Sequence, residues 1–313
     1  MIIRRLLYLL IFMLFLLVGA ISQCVAQVKI TSISFGTSYI PASRYIRPTD
    51  SVKTKFTSEQ HHSWLDVGIS LTNKFDTATG KVRMLTANLR GSYTRLNNKL
   101  YTDDVFPGML LATDFGIQYY RSLHNRWSYS VFASIGVNSD LKHVSSNDIF
   151  ASGGIIFIKS FRPNLSVGFG LIAHNSFGTI LPWPALTVRW QMGSRYKLQI
   201  NIPDNGIGLL YNVSVSYATS RSHYLTLAFR PRQISYDVQL HQLNNRLASY
   251  WELPIGPESR WKLAGMELFA GGGLMALRSF QYGEKNISKM FEKYPAHRLA
   301  ANLFVNAGVQ IRF

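Results

Sequence analysis

The sequence is poor in cysteine, in acidic residues and in long apolar runs, and each shortage excludes a class of protein. Cys24 is the only cysteine among 313 residues, which excludes a disulfide scaffold and a cysteine-ligated zinc site. After residue 26 no stretch approaches the roughly 18 consecutive apolar residues of a membrane-spanning helix. Mean hydropathy is +0.04, so a multi-span helical bundle is excluded. Because only 16% of the residues are charged, intrinsic disorder is also disfavoured. A soluble β-rich protein or a membrane β-barrel is left.

The first 26 residues have the parts of a secretory signal peptide. Arg4 and Arg5 precede an apolar run over residues 6–18, and small residues end at Ala26. We therefore predict a signal peptide at 1–26 and one exported domain at 27–313. Cleavage would lower the net charge from +17 to +15, since two arginines and no acid are removed. A retained helical anchor over residues 6–26 and a lipoprotein modified at Cys24 stay open as alternatives.

Beyond the signal, the chain alternates between apolar and polar residues with a period of two. In the last segment Leu303, Val305, Ala307, Val309 and Ile311 alternate with polar or small residues. Residues 127–138, 165–171 and 209–217 repeat the pattern. Such alternation puts one set of side chains on each face of a strand. No region outside the signal has a convincing helical period, so the fold is predicted to be all-β.

The length of the runs distinguishes a transmembrane barrel from a soluble sandwich, which also alternates. Many runs reach ten residues, whereas soluble strands average about five or six and tilted membrane strands need about nine to eleven. Aromatic residues also crowd the predicted strand ends, where membrane barrels carry their girdles. These residues are Tyr119, Tyr120, Trp127, Trp183, Trp190, Tyr196, Tyr217, Tyr224, Trp251 and Trp261. We predict a transmembrane antiparallel β-barrel of a Gram-negative outer membrane.

The pattern predicts about 14 strands, with 12 also possible. The predicted strands are 28–40, 63–72, 82–96, 109–121, 125–139, 150–160, 163–174, 183–193, 195–204, 207–219, 222–231, 245–253, 260–276 and 298–313. Short connections follow the even strands, including a turn at 254–259. Long ones follow several odd strands, at 41–62, 97–108, 231–244 and 277–297. That parity is typical of outer-membrane barrels, in which short turns face the periplasm. A one-residue slip of register near 231–253 would exchange the side chains that face the lumen with those that face lipid.

Two segments resemble known outer-membrane proteins. The final strand, whose outward set ends Val309, Ile311 and Phe313, looks like the C-terminal signal read by the barrel assembly machinery. Residues 169–227 resemble an uncharacterised family of Bacteroidota outer-membrane barrels, through the runs LPWPAL at 181–186, RWQ at 189–191 and YKLQINIP at 196–203. The resemblance implies fold, an outer-membrane location and an assembly partner. It implies no catalytic or ligand-binding residues.

Charged residues occupy two predicted locations, the inward faces of strands and the turns. The inward set, which we predict lines the lumen, is Asp66, Arg90, Asp114, Arg189, Lys197, Arg230, Glu252, Glu267 and Arg312. These charges select small solutes or pair to close the lumen. The turn residues are mostly basic and either contact anionic lipid head groups or are simply solvated. Because the basic charge is spread over the barrel ends with no binding module, nucleic acid is not an expected partner.

Three functions remain open, and a passive small-solute channel is the first. The second is a structural or assembly partner with a closed lumen. The third is a lipid-modifying enzyme, for which His143 with Ser145, or His174 with Ser176, would supply nucleophile and base. We expect no enzyme activity, because such pairs are common by chance in serine-rich loops. Since His61 and His62 point to opposite sides of an extended chain, we expect no metal, and no motif indicates a cofactor.

Overall fold

A computed structural model describes residues 28–313 except 78, 101–104, 143, 205, 240–246 and 285–294. The predicted signal peptide lies outside the described residues. The described chain forms seventeen strands in one sheet. They are β1 Lys29–Ile46, β2 Lys53–Asp76, β3 Lys81–Lys99, β4 Met109–Ser122, β5 Trp127–Ser139, β6 Ile149–Arg162, β7 Leu165–His174, β8 Leu181–Met192, β9 Tyr196–Ile202, β10 Leu209–Leu210, β11 Asn212–Ala218, β12 His223–Phe229, β13 Arg232–Asp237, β14 Leu247–Leu263, β15 Met266–Gly283, β16 Ala296–Leu299 and β17 Asn302–Arg312.

Fourteen of these strands form a closed antiparallel barrel, which confirms the predicted fold class and strand number. Each wall strand pairs with its neighbour along the chain, and β1 closes the ring by pairing with β17 from Ser32–Arg312 to Tyr39–Val305. Strands β10, β13 and β16 continue β11, β12 and β17 toward the loop end. Strand β13 keeps the register of β12 on β14, β10 pairs with β13, and β16 pairs with β1 and β15. Closure leaves no free sheet edge in the wall, so its backbone hydrogen bonds are made internally.

The two ends of the barrel differ in their connections. At the turn end the connections are short, namely 77–80, 123–126, 163–164, 193–195, 219–222 and 264–265. At the loop end most are longer, although the one after β1 spans only 47–52. The predicted 41–62 loop is therefore wrong, because β1 and β2 continue as a long hairpin. Pro41 is accommodated at a register shift between Ile40 and Ser43, where a strand tolerates proline.

The predicted turn at 254–259 is also wrong. Strand β14 runs through it, with a register shift between Glu252 and Pro254, and the true turn follows Leu263. Pro254, Gly256 and Pro257 signal a turn in the sequence, but a bulge absorbs the first proline. The predicted loops at 231–244 and 277–297 likewise contain β13, the end of β15 and the start of β16.

The outer surface of the barrel carries a continuous apolar belt. Large side chains exposed on it lie opposite one another across neighbouring strands, as in Phe157–Phe169 and Phe169–Leu186. Aromatic residues mark its turn-end edge, including the exposed Trp190, Tyr196 and Trp261. Trp183 and Tyr224 do not belong to this girdle, because they face inward against His174 and Glu267. A contiguous apolar surface of this extent is typical of a barrel in lipid.

Two segments cross the interior and divide the barrel, and we call residues 206–211 and 230–238 the partition. Beyond Pro231, β13 keeps the register of β12 on β14, from Arg232–Glu252 to Asp237–Leu247, and it pairs with β10 on its other side. Its far end reaches the opposite wall, where Asp237 pairs with Ser139 of β5. Gly208 has a φ of +106° and packs so closely on β13 that a Cβ would lie 2.3 Å from the Gln233 carbonyl oxygen. Glycine is required there for both reasons.

Helical structure is nearly absent from the described residues. They include one 3₁₀ turn, Ser146–Asp148, whose N-cap Ser145 and Asp148 form a capping box. Within this part of the chain no helix is long and apolar enough to cross a membrane.

Candidate solute site in the barrel lumen

Three of the predicted inward charges form a row across neighbouring strands. Asp66 of β2, Arg90 of β3 and Asp114 of β4 are direct register partners. Side chains opposite one another on one face of a sheet are about 5 Å apart at Cβ, so the three meet in the lumen. Nη2 of Arg90 lies 3.0 Å from Oδ1 of Asp114. The row is therefore a cation between two carboxylates.

A second chain of charges lies across the lumen on β14 and β15 and at Arg230, which directly follows β12. Nη1 of Arg230 donates to Oε2 of Glu258 at 2.9 Å, and Arg260 donates to the other oxygen of that carboxylate. Arg260 also donates to Glu267 at 2.7 Å, and Glu267 accepts from the Tyr224 hydroxyl at 2.5 Å. Each acid is thus held by one or two guanidinium groups, as a charge out of bulk water requires.

Between these charged rows is a cavity of about 500 Å³. Its polar wall includes Asp66, Arg90, Asp114, Arg230 and Glu258, and its apolar wall is made by Ile207, Leu210, Trp64, Phe269, Phe304 and Met275. The partition forms its loop-end boundary through Ile207, Leu210 and β13. A mixed lining of this volume suits one small molecule that has an apolar body and a few polar groups.

On the loop side of the cavity the lumen is filled by a buried polar network. Glu252 is fully buried and accepts from Arg232, from Gln60 at 2.5 Å and from the Tyr250 hydroxyl at 2.7 Å. Nη1 of Arg278 donates to Oε1 of Gln60 at 3.2 Å. These residues come from β2, β13, β14 and β15, so the network ties the partition to the wall.

His62 completes the network on the β2 side. Nη1 of Arg232 donates to its Nε2 at 2.7 Å, so the other ring nitrogen, Nδ1, carries the proton. Nδ1 then donates to the Thr94 hydroxyl at 2.8 Å. The imidazole is consequently neutral and fixed in one orientation.

An aromatic cluster covers the network at the loop end. The rings of Tyr250 and Phe280 stack with centroids 4.1 Å apart, and Phe106 packs on Phe280 at 5.0 Å. The Tyr45 hydroxyl lies 2.7 Å from Nδ1 of His297. Burial lowers the pKa of His297, because its charged form loses hydration. The cluster, together with the partition, packs the loop half of the lumen.

The turn end of the lumen is different, since its cations are exposed. Arg189, Lys197 and Lys262 lie there on β8, β9 and β14. The side chain of Arg312 is 63% exposed and lies 3.8 Å from Glu267. We call Arg189, Lys197, Lys262 and Arg312 the vestibule. Among the predicted inward residues, Arg189 and Lys197 therefore stand apart from the paired charges deeper in the lumen.

Sequence reasoning missed several residues of the lumen. Arg232 and Arg278 lie in the segments predicted as loops, and Glu258 in the segment predicted as a turn. His62 belongs to β2 and not to a loop, although it does point away from His61, which contacts Glu59 on the outer face. The signal that could have found them is the inward alternation continued through the prolines: Glu252, Pro254, Gly256, Glu258 and Arg260.

The residues considered for catalysis do not form a hydroxyl–imidazole pair in the described structure. His143 lies outside the described residues. Nδ1 of His174 accepts from the backbone N–H of Ser176 at 3.3 Å, and its Nε2 has no described hydrogen-bond partner. Both side chains are buried, and the Ser176 hydroxyl has no described hydrogen-bond partner. In the same described part, no three His, Cys, Asp or Glu side chains are grouped to hold a metal ion.

The residues proposed as an assembly signal are Val309 and Ile311 on the last wall strand, β17, and Phe313 directly after it. Val309 pairs with Phe35 and Ile311 with Ile33, on the belt-facing side of β17. Phe313 is 60% exposed, and its backbone N–H donates to the Thr31 carbonyl at 3.1 Å. The aromatic ring at the turn end is thus accessible from outside the barrel.

Comparison with known proteins finds similar folds at low identity. The chain is 8% identical to a TodX deltaS2S3 mutant monoaromatic hydrocarbon channel, with 91% of each chain covered and a TM-score of 0.49. It is 9% identical to an outer membrane channel from Pseudomonas putida F1, over 92% of this chain and 97% of that one, with a TM-score of 0.45. No curated protein matches the sequence. Residues 22–312 match the model of the Domain of unknown function (DUF6268), and the chain belongs to this family.

Proposed function

We propose that the protein is an outer-membrane channel for small solutes, and that the partition is its constriction. The observation that carries the proposal is the cavity of about 500 Å³, which a packed partition separates from the loop end. An open pore would not need a cavity with a mixed polar and apolar wall. A purely structural barrel would not need one either. A selective channel needs a place where its solute exchanges water for protein contacts.

The membrane location is supported by the outer surface. The apolar belt would be unstable in water, whereas lipid accepts it without cost. The turn-end aromatic residues are placed where girdles meet the head groups. Export through the predicted signal peptide, lipid contacts and delivery by the barrel assembly machinery belong to the same proposal. The Bacteroidota origin implied by the sequence resemblance stays a prediction.

The alternative is a structural or assembly role with a permanently closed lumen. The specific observation in its favour is the filled loop half, where Glu252, Gln60 and Phe280 are fully buried. The two functions differ in whether the partition can move away from the β5 wall. In a channel it moves, and in a structural barrel it does not.

A disulfide lock tests this difference. Because residues 27–313 contain no cysteine, the variant Ser139→Cys/Asp237→Cys would carry a unique pair at positions that are backbone partners. A disulfide needs Cα atoms about 4.4–6.8 Å apart, which strand partners satisfy. Single-channel currents of the refolded barrel are recorded before and after reduction, with each single-cysteine variant as control.

For a channel, the oxidised double variant should be silent and reduction should restore the conductance steps of the single variants. If none of the proteins conducts, although heat-modifiable gel mobility shows that each is folded, the result would contradict the channel and favour the structural alternative. Equal conductance of the oxidised and reduced forms would show that solutes bypass the partition, and it would overturn the assignment of the constriction.

A further inference from the structure

We propose that Arg189, Lys197, Lys262 and Arg312 form an anion-binding vestibule, and that the channel's solutes are small organic anions. The physiological meaning of this site rests on the proposed function, since a captured anion has somewhere to go only if the lumen conducts. Binding itself needs only the folded barrel.

The first support is the position of the four cations. Arg189 pairs with Gln199 and Lys197 with Gln191, so the two cations are diagonal neighbours on the inner face of β8 and β9. Lys262 and Arg312 come from β14 and β17, and Lys197 has Arg189, Lys262 and Arg312 among its electrostatic neighbours. Like charges repel one another at such positions. A bound anion would relieve this repulsion.

The second support is the shortage of acid at this mouth. Arg189, Lys197 and Lys262 form no ion pair with any other described residue, and the nitrogen of Lys262 lies 5.1 Å from the centre of the Tyr224 ring. Glu267 is the register partner of Lys262 and an electrostatic neighbour of Lys197, but its carboxylate already accepts from Arg260 and Tyr224. The wall opposite presents uncharged side chains, such as Gln118 hydrogen-bonded to Ser130 at 2.7 Å.

The third support is the contrast with the cavity. Arg90 is paired with Asp114, and Arg230 and Arg260 share Glu258. The surplus of positive charge is therefore located at the mouth and not in the cavity. When the charges at an opening all have one sign and the surrounding wall has a low dielectric constant, the electric field is focused into the opening. Ions of the opposite charge are then concentrated there.

The cavity above the vestibule explains why the anion should be organic. Trp64, Phe269, Phe304 and Met275 line it beside the paired charges. An inorganic anion would gain nothing from these apolar side chains, whereas an apolar body attached to an anionic group would bury surface against them. We therefore assign a solute with a carboxylate or sulfonate group and an apolar body.

The test is binding of pyranine, a trisulfonated dye, to the refolded mature chain in a non-ionic detergent, followed by fluorescence anisotropy. Replacing three vestibule cations, in Arg189→Gln/Lys197→Gln/Lys262→Gln, should weaken binding at least tenfold. The matched control removes the same charge outside the lumen. Lys74, Arg83 and Arg121 are register partners across β2, β3 and β4 near the turn end, and Lys74→Gln/Arg83→Gln/Arg121→Gln should change affinity less than twofold.

Equal losses in the two triple variants would overturn the vestibule, since the dye would then sense overall charge only. Absence of binding by the unmodified barrel would overturn it as well. Benzoate should displace pyranine at a lower concentration than chloride does, and equal potency would overturn the assignment of organic anions. Heat-modifiable gel mobility verifies that both variants fold.

The vestibule and the channel can fail separately. If the barrel shows no conductance but binds pyranine through the vestibule, the anion site stands and the channel function is contradicted. If the barrel conducts but binds no dye, and its reversal potential under a salt gradient shows no anion preference, the channel function stands and the anion site is contradicted.

Discussion

Arg232 and His62 meet across the lumen, with Nη1 of the arginine 2.7 Å from Nε2 of the histidine, although 170 positions separate them in the chain. Arg232 belongs to the partition and His62 to the wall strand β2. The same guanidinium donates to the buried carboxylate of Glu252. One side chain therefore fastens the partition to two parts of the wall, which makes it the contact whose removal should matter most.

We expect Arg232→Ala to destabilise the barrel and loosen the partition. The change leaves the carboxylate of Glu252 buried without its guanidinium, and removing one partner of a buried pair costs about 3–5 kcal/mol. Urea unfolding in lipid vesicles measures the free energy, and bilayer recordings measure the conductance. Arg95→Ala is the control, because Arg95 is exposed on β3 and an isolated surface change costs less than about 0.5 kcal/mol. Equal effects of the two substitutions would refute the fastening role.

The stability of the loop end should depend on pH through His297. Burial lowers the pKa of this histidine in the folded barrel. The unfolded chain, with an ordinary histidine pKa of about 6.5, then binds protons more readily than the folded one. The contribution of His297 is fully present above that pH and is lost as the pH falls through it.

Urea midpoints at pH 8 and pH 5 check this expectation. The unmodified barrel should lose more stability between these values than His297→Gln does, because glutamine cannot be protonated. Parallel losses in the two proteins would assign the acid sensitivity to other groups.

Gly170 should be intolerant of any side chain. A Cβ at this position on β7 would lie 1.9 Å from the carbonyl oxygen of Ile155 on β6. Because that oxygen belongs to the backbone, Gly170→Ala should abolish or strongly slow refolding, as measured by heat-modifiable gel mobility. Gly91→Ala on β3 is the matched control, since its added methyl would meet only the Thr113 methyl at 3.9 Å. Normal refolding of Gly170→Ala would contradict this prediction.

Removal of Phe313 should separate assembly in the cell from folding in vitro. The ring is exposed, and the residue is tied to the barrel by one backbone hydrogen bond to Thr31. Deleting Phe313 should therefore leave refolding from urea nearly unchanged, within about 0.5 kcal/mol. If the terminal strand is the assembly signal, the deletion should at the same time reduce the folded protein in outer-membrane fractions severalfold. An unchanged amount there would argue against that role.

Several strand boundaries could not be predicted from the alternation of apolar and polar residues alone. Alternation identified most wall strands, because every second side chain meets lipid and the others meet the lumen. Pro41 and the group Pro254, Gly256 and Pro257 were read as ends of strands, since these residues favour turns when only near neighbours are considered. In the barrel both proline-containing segments lie inside strands, and Pro41 and Pro254 each lie at a register shift. The hydrogen bonds that the strand makes on both sides of each proline outweigh the one that the proline cannot donate.

The sequence alone determined that the protein is a barrel of about fourteen strands with an apolar outer face, because the alternation of side chains along a strand is a local property that lipid and lumen impose at every position. It left twelve strands possible. It also predicted inward positions such as Arg189 and Lys197, but it missed Arg232, Arg278 and Glu258. The pairing of Asp237 with Ser139, the contacts of Arg232 with His62 and Glu252, and the cavity beneath them were decided by tertiary structure. Contacts between strands on opposite sides of a closed barrel depend on its circumference and register, and no short stretch of sequence records either.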